Sequence, residues 1–372
     1  MKELRVFIVD DEPPARARLR QLLSEAGHVQ VVGEADNAQD ARDAIAEARP
    51  DVVFLDIEMP QGRGTELAAA LPEPRPFIVF ATAFDQYAVD AFALAATDYL
   101  VKPITRARLA GTLTRVREQL SRQSDLEREM AAASVTQAWL LPRVLPVMPG
   151  FDCAASTVPA RAVGGDFYVA QPLANGRFAL ALGDIAGKGV AAGLLASSVQ
   201  ARLETLAHQE HPSATRLIEA VNRALLETIE SARFATLVYL EIEITTGDVE
   251  VVNAGHPAVI VVHEGGTCDV IVSGGPALGI LPGARYQGRR LRLEDGAVLV
   301  AYSDGMTETL NHEGEELGEV RLVDEITRNV SRSAREICQT LQDLAREHRG
   351  GAPPTDDVTV LVVKRATGGS AC

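Results

Sequence analysis

Between Gly111 and Pro142 the chain contains neither glycine nor proline. Nothing in Thr112–Leu141 interrupts a helix, and at 1.5 Å per residue that helix would be roughly 45 Å long. Leu109, Leu113, Val116 and Leu120 step by 4, 3 and 4, which is the spacing of a coiled-coil seam. Continuing that register meets Gln123 and Glu127 before Met130, while Leu126, Met130 and Ala133 follow a shifted phase. A seam that loses register between two domains suits a switch, so residues 112–141 are expected to form a dimeric helical linker. Leu140-Leu141-Pro142 ends the helix, and Pro142, Pro146 and Pro149 make a stiff entry into the next domain.

Two or three domains fit in 372 residues, with ample length for buried cores. A formal charge of −15 argues against non-specific binding to nucleic acid or to anionic lipid. Cys153, Cys268, Cys338 and Cys372 have no CxxC spacing, so neither a zinc cluster nor a disulfide framework is expected. MKELRVFIVDDE lacks the pattern of a signal peptide, and no 18-residue apolar stretch could span a membrane, so the chain reads as cytoplasmic.

On the N-terminal side of the joint, short apolar runs alternate with helical stretches. Leu4–Val9, Val29–Glu34, Asp51–Leu55, Phe77–Ala81 and Asp98–Val101 read as strands. A helix from about Pro14 carries Leu19, Leu22 and Leu23 on one face, and Ala38–Ala48 has helical composition. That alternation implies an α/β, doubly wound, parallel five-stranded sheet, in which function gathers at the carboxyl ends of the strands. Those ends carry Asp10 and Asp11, Asp56, Thr82, and Lys102 before Pro103. Three acids, a hydroxyl and a lysine can hold one divalent cation and one phosphoryl group, the cation screening the acids and Lys102 neutralising phosphate oxygens.

IVDDE, FLDIEMP, ATAFD and DYLVKP occur in that order, and over about Lys2–Leu120 the chain resembles the receiver domain of two-component response regulators. The resemblance implies that Asp56 accepts phosphate from a sensor histidine kinase or phosphotransfer protein. It also implies Asp10, Asp11 and Asp56 around one Mg²⁺, Thr82 and Tyr99 as the switch pair, and Lys102 on the phosphate. The texture of IVDDEPPAR and TAFDQYAVDAFALAATDYLVKP is most similar to receivers joined to a LytTR DNA-binding domain, and no such domain comes after it here.

Beyond the joint, strand candidates come in adjacent pairs. Arg177–Leu182 leads into a GDIAGKG turn; Gly189–Glu204 reads as a helix with Leu194, Leu195, Val199 and Leu203 on its apolar face; Pro212–Ser231 reads as a second helix. Ala235–Ile244, Val249–Ala254 and Ala258–His263 form a meander, Ala297–Ala301 enters an SDG turn, Ser333–His348 is helical, and Val358–Val363 closes the pattern. This is an α+β layered architecture. Aspartates mark its turns: Asp166 and Asp184 in Gly-flanked turns of Val163–Gly189, then Asp304 in Tyr302-Ser303-Asp304-Gly305 and Asp356 in Thr355-Asp356-Asp357-Val358. Carboxylates in tight turns suit divalent cations, and we expect the four turns to converge on one metal site. A phosphate ester resists attack because its anionic centre repels an anionic nucleophile, and a pair of divalent cations answers both the activation of water and the developing charge.

Over about Val135–Lys364 the ordered series QAWLLPRVLPVMPGFDCAASTVPARAVGGDFY, GDIAGKG, FATLVYLEI, NAGHPAVIV, ALGI, YSDGMTE and TDDVTVLVV resembles the PP2C-like serine/threonine phosphatases of the SpoIIE/RsbU type, which implies a layered αββα sandwich. The resemblance implies two divalent ions, Mn²⁺ or Mg²⁺. Asp184 would bridge them, the Ile185 carbonyl would ligate one, Asp304 and Asp356 the other, and Asp166 would hold a metal or its water. Arg161 falls where a phosphate-contacting arginine is expected, and Lys188, Asn253, His256 and Asp357 lie near the site. Val169 stands where the family commonly has another acid after Asp166-Phe167-Tyr168. The expected substrate is a phosphorylated STAS-type anti-sigma-factor antagonist.

The resulting division is a receiver over 1–120, a linker over 112–141, a phosphatase over 142–366 and a tail over 367–372, acting as a homodimer without nucleic acid or membrane. Other readings are weaker. Gly164-Gly165-Asp166-Phe167 is similar to a diguanylate-cyclase signature but lacks its Glu. Gly183-DIA-Gly187-Lys188 is one residue short of a P-loop and is followed by Gly189 rather than Ser or Thr. His208 and His211 read as an ordinary helix end. A turn-stabilising bond is the default role for His256. A module that sequesters a partner without turnover is the main alternative to an enzyme; a DNA-binding regulator lacks any basic segment.

Overall fold

The computed structural model describes residues 3–60, 62–72, 74–83, 96–142, 144–208, 213–228 and 233–367. Contacts divide the chain into Met1–Glu127 and Arg128–Cys372.

The first unit runs β1 (Leu4–Val9), α1 (Pro13–Ala26), β2 (Val29–Ala35), α2 (Ala38–Ala48) and β3 (Val52–Leu55). A two-residue pair comes next, β4 (Glu58–Met59) and β5 (Gly62–Arg63), then α3 (Gly64–Ala70), β6 (Phe77–Thr82), β7 (Asp98–Val101) and the start of α4 (Arg106–Leu140), whose last turns belong to the second unit. The five long strands form a parallel sheet in the order β2-β1-β3-β6-β7, as the alternation predicts. Leu19, Leu22 and Leu23 of α1 are buried on one face of it, and Ala41 and Ile45 of α2 on the other.

Helix α4 corrects two expectations. It begins at Arg106, not Thr112, and Gly111 lies within it; a glycine inside a helix costs only about 1 kcal/mol against alanine, which the flanking leucines offset. Leu109, Leu113 and Val116 are fully buried in the first unit's own core, with Leu120 packed against them. At about 1.5–3 kcal/mol per buried leucine or valine, this half of the predicted coiled-coil seam is held by its own domain and is not available to a second chain.

The second unit runs β8 (Phe151–Val158), β9 (Phe167–Pro172), β10 (Arg177–Ile185), α5 (Val190–Ala207), α6 (Ala214–Leu226), β11 (Ala235–Glu243), β12 (Asp248–Ala254), β13 (Val259–Val262) and β14 (Cys268–Ile271). Then come β15 (Gly288–Arg292), β16 (Val298–Tyr302), α7 (Asp304–Thr307), α8 (Gly318–Arg328), α9 (Ala334–His348) and β17 (Val358–Arg365). Two antiparallel sheets, β15-β12-β11-β10-β9 and β14-β13-β16-β17-β8, face each other. Leu180, Leu182, Val238, Leu240, Leu299 and Leu361 are among the side chains that fill the space between them. Helices α5 and α6 cover one sheet, and α8 and α9 the other, giving the αββα layering.

Several local expectations change. Strand β13 leaves the predicted meander: it pairs with β14 and β16 in the second sheet, so Gly255-His256-Pro257 is where the chain crosses between layers. Leu194 is 68% exposed, whereas Val199 and Leu203 are buried. His208 is the helix end expected of it, at the cap of α5, and His211 lies outside the described residues.

Candidate active site

In the first unit the strand ends bring Asp10, Asp11 and Asp56 together, with one oxygen from each lying within 4.8 Å of the others. Asp10 and Asp56 are buried. Lys102 reaches across from the end of β7, its Nζ 2.7 Å from Asp10 Oδ2 and 2.6 Å from Asp56 Oδ2. Burial raises the Asp10 carboxyl above its ordinary range despite these bonds. Burial also works against charge on Lys102, but its hydrogen bonds to the two aspartates outweigh it and hold the ammonium above its usual range. Thr82 Oγ1 is buried with no hydrogen-bond partner among the described residues. Tyr99 is half-buried, on the strand that ends just before Lys102. Three hard oxygen donors beside a half-buried ammonium and the Thr82 hydroxyl fit one Mg²⁺ and one phosphoryl group.

In the second unit Asp184 lies inside β10 and not in a turn. The strand runs on to Ile185, with Asp184 opposite Thr236 of β11. Gly183 permits this, since a Cβ there would fall 2.7 Å from the Phe167 ring and 2.9 Å from the Thr236 carbonyl. Asp166 stands one residue before β9 and is 3% exposed. Asp304 opens α7, directly after β16, and Asp356 precedes β17. Four elements from two sheets therefore deliver one carboxylate each to one end of the sandwich.

Each of these acids feels the charge of another. Burial, then repulsion by Asp304, Asp356 and Asp357, pushes Asp184 up to about 7. Asp166 is raised well above the carboxylate range by burial and by Asp184, and its Oδ2 is buried without a partner among the described residues. Burial and Asp356 raise Asp304 as well. Gly165 completes a cradle: a Cβ there would lie 2.9 Å from both Asp184 Oδ1 and the Ile185 carbonyl. A buried cluster of like charges with an orphaned oxygen and a backbone carbonyl beside it fits a hard divalent ion. No three of these acids close to within 4.8 Å among the described residues, so the set is wider than that of the first unit.

The remaining predicted residues take distinct places. Asp357 is buried, and its carboxylate accepts from the N–H groups of Ala160 at 2.8 Å, Gly165 at 2.7 Å and Asp166 at 3.3 Å. It organises the loop that carries Asp166. His256 Nδ1 lies 2.8 Å from Thr236 Oγ1, and full burial lowers the imidazole to about 3, so it is neutral and serves the crossing between sheets. Asn253 holds the same turn, donating to the carbonyls of His256 and Pro257 and accepting from His256 N–H. Arg161 is exposed, in the loop before Asp166. Lys188 Nζ sits 2.6 Å from Asp356 Oδ2.

Sequence reasoning missed Gln137, in the last turns of α4. Its side chain donates to the Gly164 carbonyl at 2.7 Å and accepts from Gly164 N–H at 3.0 Å, gripping the backbone two residues before Asp166. Gln200 of α5 bonds the Leu140 carbonyl at 2.8 Å, and Tyr168 bonds the Pro142 carbonyl at 2.9 Å. The C-terminal end of α4 is thus fastened to the elements that carry Asp166. Its only signal in the sequence is its place in the QAWLLP run.

Comparison with known proteins agrees with both halves. The family model for Stage II sporulation protein E (SpoIIE) matches residues 174–366, and that for the response regulator receiver domain matches residues 6–114. The transcriptional regulatory protein BtsR of Escherichia coli (strain K12) is 52% identical over 121 residues, 32% of this chain and 51% of that protein. The chain therefore spans about half the length of the curated relatives it matches. Among solved structures, the SiaA-PP2C domain of Pseudomonas aeruginosa covers 65% of this chain and 98% of its own at 18% identity, with a TM-score of 0.58. The RsbU and RsbW domains of Rv1364c from Mycobacterium tuberculosis cover 62% of this chain and 64% of theirs at 27% identity, with a TM-score of 0.55.

Proposed function

The chain belongs to the SpoIIE family and carries a response regulator receiver domain at its N-terminus, and on that premise we propose that phosphorylation of Asp56 controls hydrolysis of a phosphoserine or phosphothreonine at the Asp184 centre. The C-terminal domain is a PP2C-like serine/threonine phosphatase domain, of a class that depends on metal ions. A receiver implies a kinase or phosphotransfer partner, and we take this to be a sensor histidine kinase or phosphotransfer protein. Among the described residues no helix is long and apolar enough to cross a membrane.

The observation that carries the reading is the charge state of the Asp184 cluster. Burial first, and then repulsion by Asp304, Asp356 and Asp357, holds Asp184 at about 7, and a bound cation would relieve both. Two divalent ions, Mn²⁺ or Mg²⁺, would be held by Asp184, the Ile185 carbonyl, Asp304 and Asp356, with Asp166 holding a metal or its water. When bound, they supply an activated water and neutralise charge on the phosphoryl group. The chain's own residues do the rest. Asp357 and Gln137 hold the Asp166 loop in place, His256 stays neutral beneath the site, and exposed Arg161 is available to phosphate oxygens. The receiver would hold one Mg²⁺ between Asp10, Asp11 and Asp56, with Lys102 on the phosphoryl oxygens and Thr82 and Tyr99 reporting its presence. The substrate favoured by the RsbU-type resemblance is a phosphorylated STAS-type antagonist protein in a partner-switching pathway.

Mn²⁺-dependent hydrolysis of p-nitrophenyl phosphate tests the chemistry. Asp184→Ala is expected to lower the rate by about a hundred- to a thousand-fold, the loss typical of removing a principal electrostatic element. Absence of hydrolysis by metal-loaded wild-type protein, together with equal behaviour of Asp184→Ala toward a phosphoprotein, would remove the enzyme reading. A homodimer would form through the receiver or the exposed half of α4, where Leu126 is 54% and Trp139 63% exposed. Light scattering that gives a monomer with and without beryllofluoride would dismiss it.

A further inference from the structure

Lys188 lies between Gly187 and Gly189, whose φ values of 112° and 84° belong to the left-handed region that other residues rarely adopt. The two glycines turn the backbone sharply after β10, and α5 begins at Val190. The Lys188 ammonium then lands in the Thr355–Asp356 turn, 2.8 Å from the Thr355 carbonyl and 2.6 Å from Asp356 Oδ2. The other Asp356 oxygen, Oδ1, already accepts the Asp357 N–H at 2.9 Å. Oδ1 is thus partly engaged, and the ammonium of Lys188 occupies the other oxygen. Its charge also reaches Asp304, where it opposes the effects of burial and Asp356. The Lys188 side chain is 39% exposed and that of Asp356 42%, so the pair can separate without opening the core.

We infer that Lys188 is a resident counter-cation that competes with a divalent ion for Asp356 Oδ2 and so weakens ion binding on the Asp304/Asp356 side of the site. The inference rests on the proposed assignment of Asp356 as a metal ligand. It follows from charge alone: an ion that uses Oδ2 must displace the ammonium or share the oxygen with it, and either lowers its net gain. Exposed ion pairs contribute up to about 1 kcal/mol, equivalent to roughly a five-fold change in a dissociation constant.

The experiment is a Mn²⁺ titration of the full chain, with free Mn²⁺ read by electron paramagnetic resonance. Lys188→Met is expected to tighten the weaker phase of binding about five-fold relative to wild type, with Lys188→Arg close to wild type because it keeps the charge. The Mn²⁺ concentration giving half-maximal hydrolysis of p-nitrophenyl phosphate should fall in parallel. Lys188→Gln serves as a second neutral variant, and thermal unfolding checks that each is folded. Unchanged or weaker Mn²⁺ binding in both neutral variants, with wild-type protein binding Mn²⁺ and hydrolysing the ester, overturns this inference and leaves the proposed function standing. Failure of wild-type protein to bind Mn²⁺ at all overturns the metal assignment and this inference with it.

Discussion

Two carboxylate clusters in this chain are built from the same residue types and differ in how their charge is managed. In the receiver, three acids lie within 4.8 Å, and Lys102, with its side chain 15% exposed, bonds two of them at once. In the phosphatase domain the acids are spread wider, Asp166 and Asp184 are driven strongly toward protonation, and the lysine stands at the rim on Asp356. One half-buried ammonium shared by two acids compensates part of the trio's charge from within the protein, and on the proposed reading one ion and a phosphoryl group complete the site. On the proposed reading, the wider set would take most of its compensation from bound ions. The contrast predicts different responses to metal removal.

The largest effect is expected from pH in EDTA. Asp184 has a folded value of about 7 against 3.8 for an ordinary aspartate, so between those values the unfolded chain releases a proton that the folded one keeps. Stability of the phosphatase domain in EDTA should therefore be greatest near pH 4 and fall as pH rises to about 7, by up to a few kcal/mol. Asp184→Asn should flatten that slope and raise the melting temperature in EDTA, whereas with Mn²⁺ the wild type should be the more stable. Differential scanning calorimetry reads both; a pH-independent wild type would erase the contrast.

Next in size is Lys102→Met. It strands two buried aspartates, and breaking a partly exposed version of such a pair should cost about 2–3 kcal/mol of receiver stability, less than the 3–5 kcal/mol of a fully buried one. Mg²⁺ should stabilise both proteins, and the variant by the larger amount, because there the ion also takes over the charge that Lys102 supplied. Urea unfolding with and without Mg²⁺ measures it, and an equal Mg²⁺ response in the two proteins would mean that Lys102 does not substitute for an ion.

Gln137→Leu is expected to have the smallest effect. It leaves the Gly164 N–H and carbonyl without their partner, a loss of about 1–2 kcal/mol. If the grip positions Asp166, the loss appears as a several-fold higher Mn²⁺ requirement with kcat at saturating Mn²⁺ nearly unchanged. A lower melting temperature with an unaltered Mn²⁺ requirement would make Gln137 a fastening of the helix and nothing more.

Much of the fold and of both sites is legible in the sequence because the chemistry sits at strand ends. Asp10, Asp56, Thr82 and Lys102 each come directly after a short apolar run, so the parallel sheet and its site can be read together. The features that escape have weak local signals. Gly111 reads as a boundary, although an exposed helix position tolerates glycine. The leucines of α4 have the same spacing whether they face a partner or their own sheet, and only the packing shows that Leu109, Leu113 and Val116 are internal. Strand β13 is buried throughout, so no alternation of polar and apolar residues distinguishes the sheet it joins. Helix α8 carries many charges and buries only Leu322 and Ile326, too short a stripe to stand out. Gln137 acts through its backbone partner, which the sequence around it does not reveal.

The central claim is that the receiver governs the phosphatase domain, and the most direct measurement is the hydrolysis rate of the full chain at saturating Mn²⁺ with and without beryllofluoride. A several-fold change is predicted in the wild type and should be lost in Asp56→Ala, since the mimic acts on that carboxylate. Equal rates in the wild type, or a change that persists in Asp56→Ala, would contradict it.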